Sequence, residues 1–309
     1  MAIPIGIVGA GRSRNGLGPF IAQFLERAGC VVAGVAGRST ERAVANAEEL
    51  GRQLAHRIEA FPTPRALCAS GVAALVVASP PECHLEALET AGSFRLPVLC
   101  EKPLVHESHG AQGALVLETF ARLGIPLMEH CQWPYLLAAF EQLHGAESTS
   151  QVSKVEMGLR APRPGREMVQ NALSHLLSVI QRLMLVDAAT MARDVHLNNW
   201  SSGEARLRFR LSGSGADVEA ALHLTLAVSA PREAWLAIDG RRMDRRVGEG
   251  HQIAFFAGGR NVNVVDPTQQ LVRQFARLVD SRDPAQTAAE LDSVRERHRL
   301  YRQILGELV

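Results

Sequence analysis

The chain has 309 residues, of which 47% are hydrophobic. This length exceeds what a single hydrophobic core usually serves, so we expect two domains. The formal net charge of +1 gives no long-range field that would attract nucleic acid or an anionic membrane, and a small-molecule partner is therefore favoured.

Cysteine content and hydropathy exclude further classes. The five cysteines are odd in number and contain no Cys-x-x-Cys pair, which argues against a disulfide framework and a metal site. The N-terminus leads directly into an apolar run, and no stretch approaches the roughly 20 apolar residues of a membrane span. We therefore expect a cytoplasmic protein with no metal, no nucleic-acid partner and no membrane partner.

Short apolar runs alternate with amphipathic helical patterns in the first part of the chain. Strands are predicted at residues 3–8, 30–37, 73–79, 97–101 and 125–131. Helices are predicted from Pro19 to a stop at Gly29, at 39–50 before Gly51, and at 82–91 and 107–123. Strands that alternate with amphipathic helices predict a parallel sheet covered on both faces. Residues 1–130 are therefore predicted to form an α/β Rossmann domain with a doubly wound parallel sheet.

The alternation of strands and helices stops in the second part of the chain. A long helical pattern at 167–185 precedes period-two segments, in which Leu207, Phe209 and Leu211 share one face and arginines occupy the other. Further short strands are predicted at 233–238, 252–257 and 261–265, and helices at 267–280 and 288–308. Residues 131–309 are therefore predicted to form an α+β domain with a largely antiparallel open sheet.

The first predicted strand ends in a glycine-rich loop, "VGAGRSRNGLGPF", at residues 8–20. Gly9 would allow a tight turn and Gly11 the close approach of a phosphate, because a strand, a glycine turn and a helix N-terminus together bind pyrophosphate. Arg12 and Ser13 belong to a lengthened segment that can still wrap an anion. The alternative is a tight turn in a flavodoxin-like fold that binds no nucleotide.

The end of the second strand bears on the choice of cofactor. An NAD site commonly places Asp or Glu there, whereas this chain has Gly37, Arg38, Ser39 and Thr40. Arg38 could pair with a 2′-phosphate, and Ser39 or Thr40 could donate hydrogen bonds to it. NADP is therefore favoured over NAD. The alternative is that Arg38 is a solvated loop residue and Ser39 only a helix N-cap.

The segment "VLCEKPL", residues 98–104, places Glu101 and Lys102 directly after a buried strand. Charges so placed lie at the carboxyl edge of the sheet, where doubly wound folds bind ligands. Lys102 could serve there as a fixed proton donor beside a substrate oxygen. Taken alone, the motif would equally describe a surface lysine in an ordinary loop.

Four segments in order, "GIVGAG", "AGRSTERA", "VVASPPECHLEALETAG" and "VLCEKPL", together resemble the Gfo/Idh/MocA oxidoreductase family. The resemblance covers about residues 1–130 well and the remainder loosely. It implies that Ser79, Pro80 and His84 line the nicotinamide-ribose side of a bound NAD(P). It also implies a homodimer or homotetramer formed through the C-terminal sheet.

The resemblance further implies that Glu101 and Lys102 approach the nicotinamide. In this family the proline that corresponds to Pro103 shapes the turn, and the peptide bond before it is often cis. The lysine usually orients substrate and assists proton transfer. Many relatives carry an Asn/Arg-rich segment after their sixth strand. At that place this chain has "MEHCQWP", with His130, Gln132 and Trp133.

The family's second signature is an Asp-x-x-x-His pair on a helix, and the matching positions here are Asn171 and His175. A spacing of four puts both side chains on one helical face. His175 is the acid/base candidate, since imidazole titrates near neutral pH. Asn171 cannot carry a negative charge, although it can still hydrogen-bond substrate. The alternative is that this polar stripe is a solvent face.

These observations favour an NADP-dependent oxidoreductase that transfers a hydride between nicotinamide and a carbonyl or secondary alcohol carbon. A small polar, sugar-like substrate is the family's commonest theme. The alternatives are an imine or cyclic-intermediate reductase of a biosynthetic pathway, and a non-catalytic NADP-binding sensor. Asparagine in place of aspartate at position 171 keeps the sensor in consideration.

Overall fold

Apolar runs bounded by glycine, proline and polar residues form a parallel sheet in the first part of the chain. The computed structural model describes residues 2–11, 16–161, 163–198, 203–215, 217–227, 233–248 and 252–308. In the described chain the strand order is β3-β2-β1-β4-β5-β6, with every pair parallel. The strands are β1 Ile3–Val8, β2 Cys30–Ala36, β3 Glu59–Phe61, β4 Ala74–Val77, β5 Val98–Cys100 and β6 Leu127–Glu129.

The strand order reverses between β1 and β4, which lie side by side although β2 and β3 come between them in the chain. In open parallel sheets, ligands bind outside the carboxyl ends of the strands at such a reversal. Five helices accompany these strands in the described chain: α1 Gly18–Arg27, α2 Thr40–Leu54, α3 Pro64–Ala69, α4 His84–Ser93 and α5 Gly110–Leu123.

The predicted end of the second helix at Gly51 is wrong. The helix α2 continues to Leu54 and ends at Ala55, whose φ of 60° is left-handed. Gly51 remains helical, and a Cβ at that position would lie 3.0 Å from the carbonyl oxygen of His56. The glycine therefore makes room for the returning chain instead of ending the helix.

A second, mixed sheet follows, with the order β14-β13-β12-β11-β7-β10-β9-β8. Only the β7–β10 pair is parallel among the pairs of this sheet in the described residues. The predicted fold class, a Rossmann sheet followed by a largely antiparallel sheet, is confirmed. The strands are β7 Lys154–Ala161, β8 Met191–Asn198, β9 Glu204–Ser212, β10 Asp217–Leu226, β11 Ala234–Ile238, β12 Arg241–Val247, β13 Ile253–Ala257 and β14 Arg260–Val264.

Two helices of the second half accompany this sheet in the chain, and two close the sequence. They are α6 Leu137–His144, α7 Arg166–Leu183, α8 Pro267–Ser281 and α9 Pro284–Glu307. The buried face of α7 shares one core with the inward side chains of β9, which confirms the predicted period-two pattern: Leu207, Phe209 and Leu211 are buried. No helix in the described part of the chain is long and apolar enough to cross a membrane.

The chain divides into two compact units. The first contains residues 1–130 and 268–295, and the second contains 131–267 and 296–309, so α9 contributes to both. The first unit thus includes α8, which follows the second sheet in the chain. The functional division at residue 130, into a cofactor-binding and a substrate-binding domain, stays a prediction.

A histidine–carboxylate pair connects three elements of the first unit. The Glu26 carboxylate, on α1, lies 2.9 Å from His56 Nε2 and accepts a hydrogen bond from the Val32 backbone N–H of β2, also at 2.9 Å. The hydrogen bond to Glu26 raises the pKa of His56 above its ordinary value, against the opposing effect of partial burial. The segment after α2 is therefore held to α1 and β2 by a contact that depends on pH.

We predict that His56→Ala destabilises the protein in acid and much less in alkali. The pKa of His56 is higher in the folded than in the unfolded chain, so its contribution is complete below the unfolded pKa and is lost as pH rises through the folded pKa. The free energy of unfolding should fall by about 0.5–1 kcal/mol at pH ~5.5 and by less at pH ~9. Urea unfolding measures this, with exposed His196→Ala as the control; an equal loss at both pH values would contradict the ion pair.

Candidate active site

The carboxyl ends of β1, β4, β5 and β6 carry the predicted site residues of the first unit. Backbone hydrogen bonds extend past the strand ends: Ala78 N–H donates to Val8 O at 2.8 Å and Glu101 N–H donates to Val77 O at 2.8 Å. His130 N–H likewise donates to Cys100 O at 2.7 Å. The backbone hydrogen bonds of the sheet therefore fix the position of the residues that directly follow these strands.

Gly9 is packed directly against the turn after β4. Its φ is +90°, and a Cβ there would lie 2.5 Å from the Ser79 backbone nitrogen. Only glycine fits, because the position is both left-handed and in contact with another backbone. A Cβ on Gly11 would lie 3.2 Å from the Asn46 side-chain oxygen. The predicted contacts of Arg12 and Ser13 lie outside the described residues.

The residues predicted to face the adenosine end follow β2. Arg38 and Thr40 are exposed. Ser39 is the N-cap of α2, with its Oγ accepting a hydrogen bond from Arg42 N–H at 3.4 Å. A hydrogen bond from Ser39 lowers the pKa of the exposed Glu41 carboxylate, so a negative charge stands next to the proposed 2′-phosphate position. Sequence reasoning overlooked this carboxylate because it belongs to α2 and lies beyond the strand end.

His84 joins the turns that follow β4 and β5. It is fully buried, with Nε2 2.7 Å from Ser79 O and Nδ1 3.0 Å from Pro103 O. Burial lowers the pKa of His84, although both carbonyl contacts oppose that effect. A neutral imidazole has one N–H, so the ring donates to one of these carbonyls and packs against the other. The predicted contact of His84 with a cofactor stays a prediction.

Ser79 and Pro80 lie half-buried where β4 ends. The Ser79 hydroxyl oxygen is buried, and within the described residues it has no hydrogen-bond partner. A buried hydroxyl without a partner costs free energy that a bound ligand can recover. Together with the side-chain-free surface at Gly9, this hydroxyl fits the dinucleotide cofactor that the sequence predicts.

The Glu-Lys-Pro turn presents two opposite charges at the end of β5. The Lys102–Pro103 peptide bond is cis, as the family resemblance implies. Glu101 Oε1 lies 2.7 Å from His130 Nδ1, and the His130 side chain is only 1% exposed. Burial would raise the pKa of Glu101, but the charge and hydrogen bond of His130, with Lys102 and His84, hold it below its usual range. Glu101 is therefore an anion beside the half-buried Lys102.

Asn171 and His175 lie on α7 in the second unit. Both are half-buried, while the apolar residues on the opposite face of the helix are buried: Val169, Ala172, Leu173, Leu176, Leu177 and Ile180. Asn171 Nδ2 donates to Glu167 O at 2.8 Å, and Ser178 Oγ donates to His175 O at 2.8 Å. The helix face that carries Asn171 and His175 is thus more enclosed than an ordinary solvent-exposed face. The catalytic roles of both residues stay predictions.

Comparison with known proteins bears on the first unit most directly. Residues 3–128 match the model of the Gfo/Idh/MocA family, described as an oxidoreductase family with an NAD-binding Rossmann fold. Inositol 2-dehydrogenase from Streptomyces avermitilis is 45% identical over 96 residues, which cover 31% of this chain and 26% of that protein. The match therefore spans only about a quarter of the relative's length.

Solved structures match nearly the whole chain at low identity. A 3-ketoreductase from Actinomadura kijaniata, in complex with TDP-benzene and NADP, has a TM-score of 0.66 at 17% identity, covering 97% of this chain and 96% of that one. An oxidoreductase from Agrobacterium radiobacter, in complex with NAD⁺, L-tartaric acid and magnesium, has a TM-score of 0.65 at 14% identity, covering both chains completely.

A UDP-N-acetylglucosamine 3-dehydrogenase from Acidithiobacillus ferrooxidans has a TM-score of 0.62 at 20% identity, covering 99% of this chain and 95% of that one. At such identities the structural matches show the fold alone. The motifs, the strand order and the family model agree over the first unit. Residues 3–128 therefore match the Gfo/Idh/MocA family of oxidoreductases and have its NAD-binding Rossmann fold.

Proposed function

We propose that the protein is an NADP-dependent oxidoreductase that acts on a carbonyl or secondary alcohol carbon of a small, sugar-like metabolite. The observation that supports this most is the Glu-Lys-Pro turn, where Lys102 stands beside the ionised Glu101 at the ligand-binding edge of the sheet. When bound, the nicotinamide cofactor supplies or accepts the hydride. The chain's own residues bind, orient and move the proton.

The cofactor-binding role of the rim is proposed residue by residue. Backbone at Gly9 and Gly11, with Arg12 and Ser13, would hold the pyrophosphate. Ser79 Oγ would donate to the nicotinamide ribose, since this hydroxyl has no other partner in the described chain. NADP is supported by the exposed Arg38 with Ser39 and Thr40, while the nearby Glu41 opposes it.

Lys102 is the proposed proton carrier of the first unit. Its ammonium would donate to the substrate oxygen that gains or loses a proton as the hydride moves. The sequence contains only one other lysine, Lys154, among its 33 lysine and arginine residues. Almost every basic position of the chain is therefore an arginine, and the lysine at position 102 is an exception. An arginine could not exchange its proton near neutral pH. His175 and Asn171 are proposed as acid/base and substrate-binding residues of the second unit.

The sugar-like substrate is supported by the names of the similar proteins. They are an inositol dehydrogenase, a 3-ketoreductase and a dehydrogenase of a UDP-linked sugar. Each name denotes oxidation or reduction of an alcohol or ketone. The sensor alternative is supported by Asn171, because an amide cannot make His175 more basic as aspartate would. We also propose that the second unit binds substrate and forms a homodimer or homotetramer through its sheet.

We predict that Lys102→Ala lowers turnover at least about 100-fold, the usual contribution of a positioned proton donor, and leaves the NADPH dissociation constant nearly unchanged. Absorbance of the reduced cofactor measures turnover with myo-inositol, UDP-N-acetylglucosamine and a panel of cyclic ketones and imines. Lys154→Ala is the matched control and should retain activity. Unchanged turnover in Lys102→Ala would remove the proposed mechanism, and NADPH binding without turnover on any compound would favour the sensor.

We predict that Arg38→Ala weakens NADPH binding by about tenfold or more, as expected for loss of a charge-assisted hydrogen bond, and leaves NADH binding unchanged. Glu41→Gln should strengthen NADPH binding, because it removes a negative charge near the 2′-phosphate. Fluorescence titration measures the dissociation constants of both cofactors for the wild-type protein and for each variant. Equal weakening of NADPH and NADH by Arg38→Ala would contradict a 2′-phosphate contact.

A further inference from the structure

His130 is a buried histidine at the rim to which the proposed reaction assigns no role. It follows β6, and its backbone N–H donates to Cys100 O at 2.7 Å. This bond places the ring beside the turn after β5, where Nδ1 lies 2.7 Å from Glu101 Oε1. The ring is 1% exposed and the Glu101 side chain 15% exposed, so water does little to weaken the contact.

Only one of the two ring nitrogens is used. Nε2 of His130 is buried and has no hydrogen-bond partner within the part of the chain that the structure describes. Nδ1 of His130 and Oε1 of Glu101 are at ion-pair distance, 2.7 Å apart. Because a carboxylate can only accept, a hydrogen shared by these two atoms belongs to Nδ1. The polar contact that holds the ring in place is therefore the one to Glu101.

Titratable side chains from several elements lie around Glu101. His130 faces it from the end of β6, His84 from α4, and Lys102 from its own turn. The carboxylates of Glu129 and Glu101 both raise the pKa of the neighbouring Cys100 thiol, in addition to the effect of its burial. Burial alone would raise the pKa of Glu101, because a carboxylate removed from water tends to take up a proton and lose its charge. Without a donor at His130, the anion beside Lys102 would be harder to maintain.

We propose that His130 is a positioning residue of the active site: its Nδ1–H donates to Glu101 and fixes that carboxylate, as an anion, beside the Lys102 ammonium. The role of the ammonium towards substrate rests on the proposed function, whereas the Glu101–His130 pair does not. Through this pair the end of β6 determines the charge and orientation of the turn after β5.

The two lysines of the chain make a direct test possible. Protein labelled with ¹³C-lysine gives two side-chain Cε signals, which Lys154→Arg assigns. The Lys102 signal should show a pH step from Glu101 that is absent in Glu101→Gln. The variant His130→Asn puts a side-chain amide donor at the position of the histidine Nδ1. The variant His130→Gln puts one at the position of Nε2.

We expect His130→Ala and His130→Gln to move the Glu101 step to higher pH, because burial of the carboxylate is then no longer offset by a donor. His130→Asn should leave the step near its wild-type position. His56→Asn is the matched control, since it alters another histidine–glutamate pair in the same unit and should not move the step.

An unmoved step in His130→Ala and His130→Gln, or equal behaviour of the Asn and Gln variants, would overturn the proposal. If His130→Ala does not fold, as judged by circular dichroism, the Asn and Gln variants decide. If these also fail to fold, the His130 ring nitrogen signals decide, since they must change in Glu101→Gln. Failure of the wild-type protein to bind NADPH would remove the proposed function and leave this titration unaffected.

Discussion

The contact between Gly9 and the backbone of Ser79 is the constraint on which the proposed site depends. A side chain at position 9 would occupy the space of the Ser79 nitrogen, 2.5 Å away. The turns after β1 and β4 can therefore approach each other only because one of them has no Cβ. This approach occurs where the strand order reverses, and it leaves bare backbone and the Ser79 hydroxyl at the edge where a phosphate-bearing cofactor binds.

Polar contacts then connect the remaining strand ends. The His84 ring lies between the carbonyl groups of Ser79 and Pro103, and His130 Nδ1 lies 2.7 Å from Glu101 Oε1. Both histidines are buried, and both contact the turn after β5. Lys102 is consequently presented from a turn fixed on two sides. A rim of this kind is pre-organised, which would lower the free energy needed to orient Lys102 as the proposed proton donor.

Much of the first unit could be predicted from the sequence because buried parallel strands leave a strong signal. The runs at 3–8, 30–37 and 73–79 are almost wholly apolar, and each forms a strand. The strand β3 was not predicted because its three residues are too few for periodicity. Gly51 was misread because a glycine required by close packing has the same letter as one that ends a helix.

The second unit and the contacts within the site were harder to predict. The strands β8 and β12 are rich in charged residues and were not recognised, since strands with so many polar side chains lack a clear apolar alternation. The motif residues Glu101 and Lys102 stood out in the sequence, whereas the partner of Glu101 did not. His130 is 29 residues further along the chain than Glu101, and only the strand pairing of β5 with β6 brings them together. Such a contact depends on topology, which no local pattern encodes.

The rim of the first sheet is proposed to bind a phosphorylated nicotinamide cofactor, with the Lys102 ammonium donating to the substrate oxygen on the reacting carbon. A crystal structure of the protein with NADP⁺ tests this proposal. We expect pyrophosphate at Gly9 and Gly11, the nicotinamide ribose at Ser79, and the Lys102 Nζ beside the nicotinamide ring. Cofactor bound elsewhere, or bound at the rim with the ammonium directed into solvent, would contradict it.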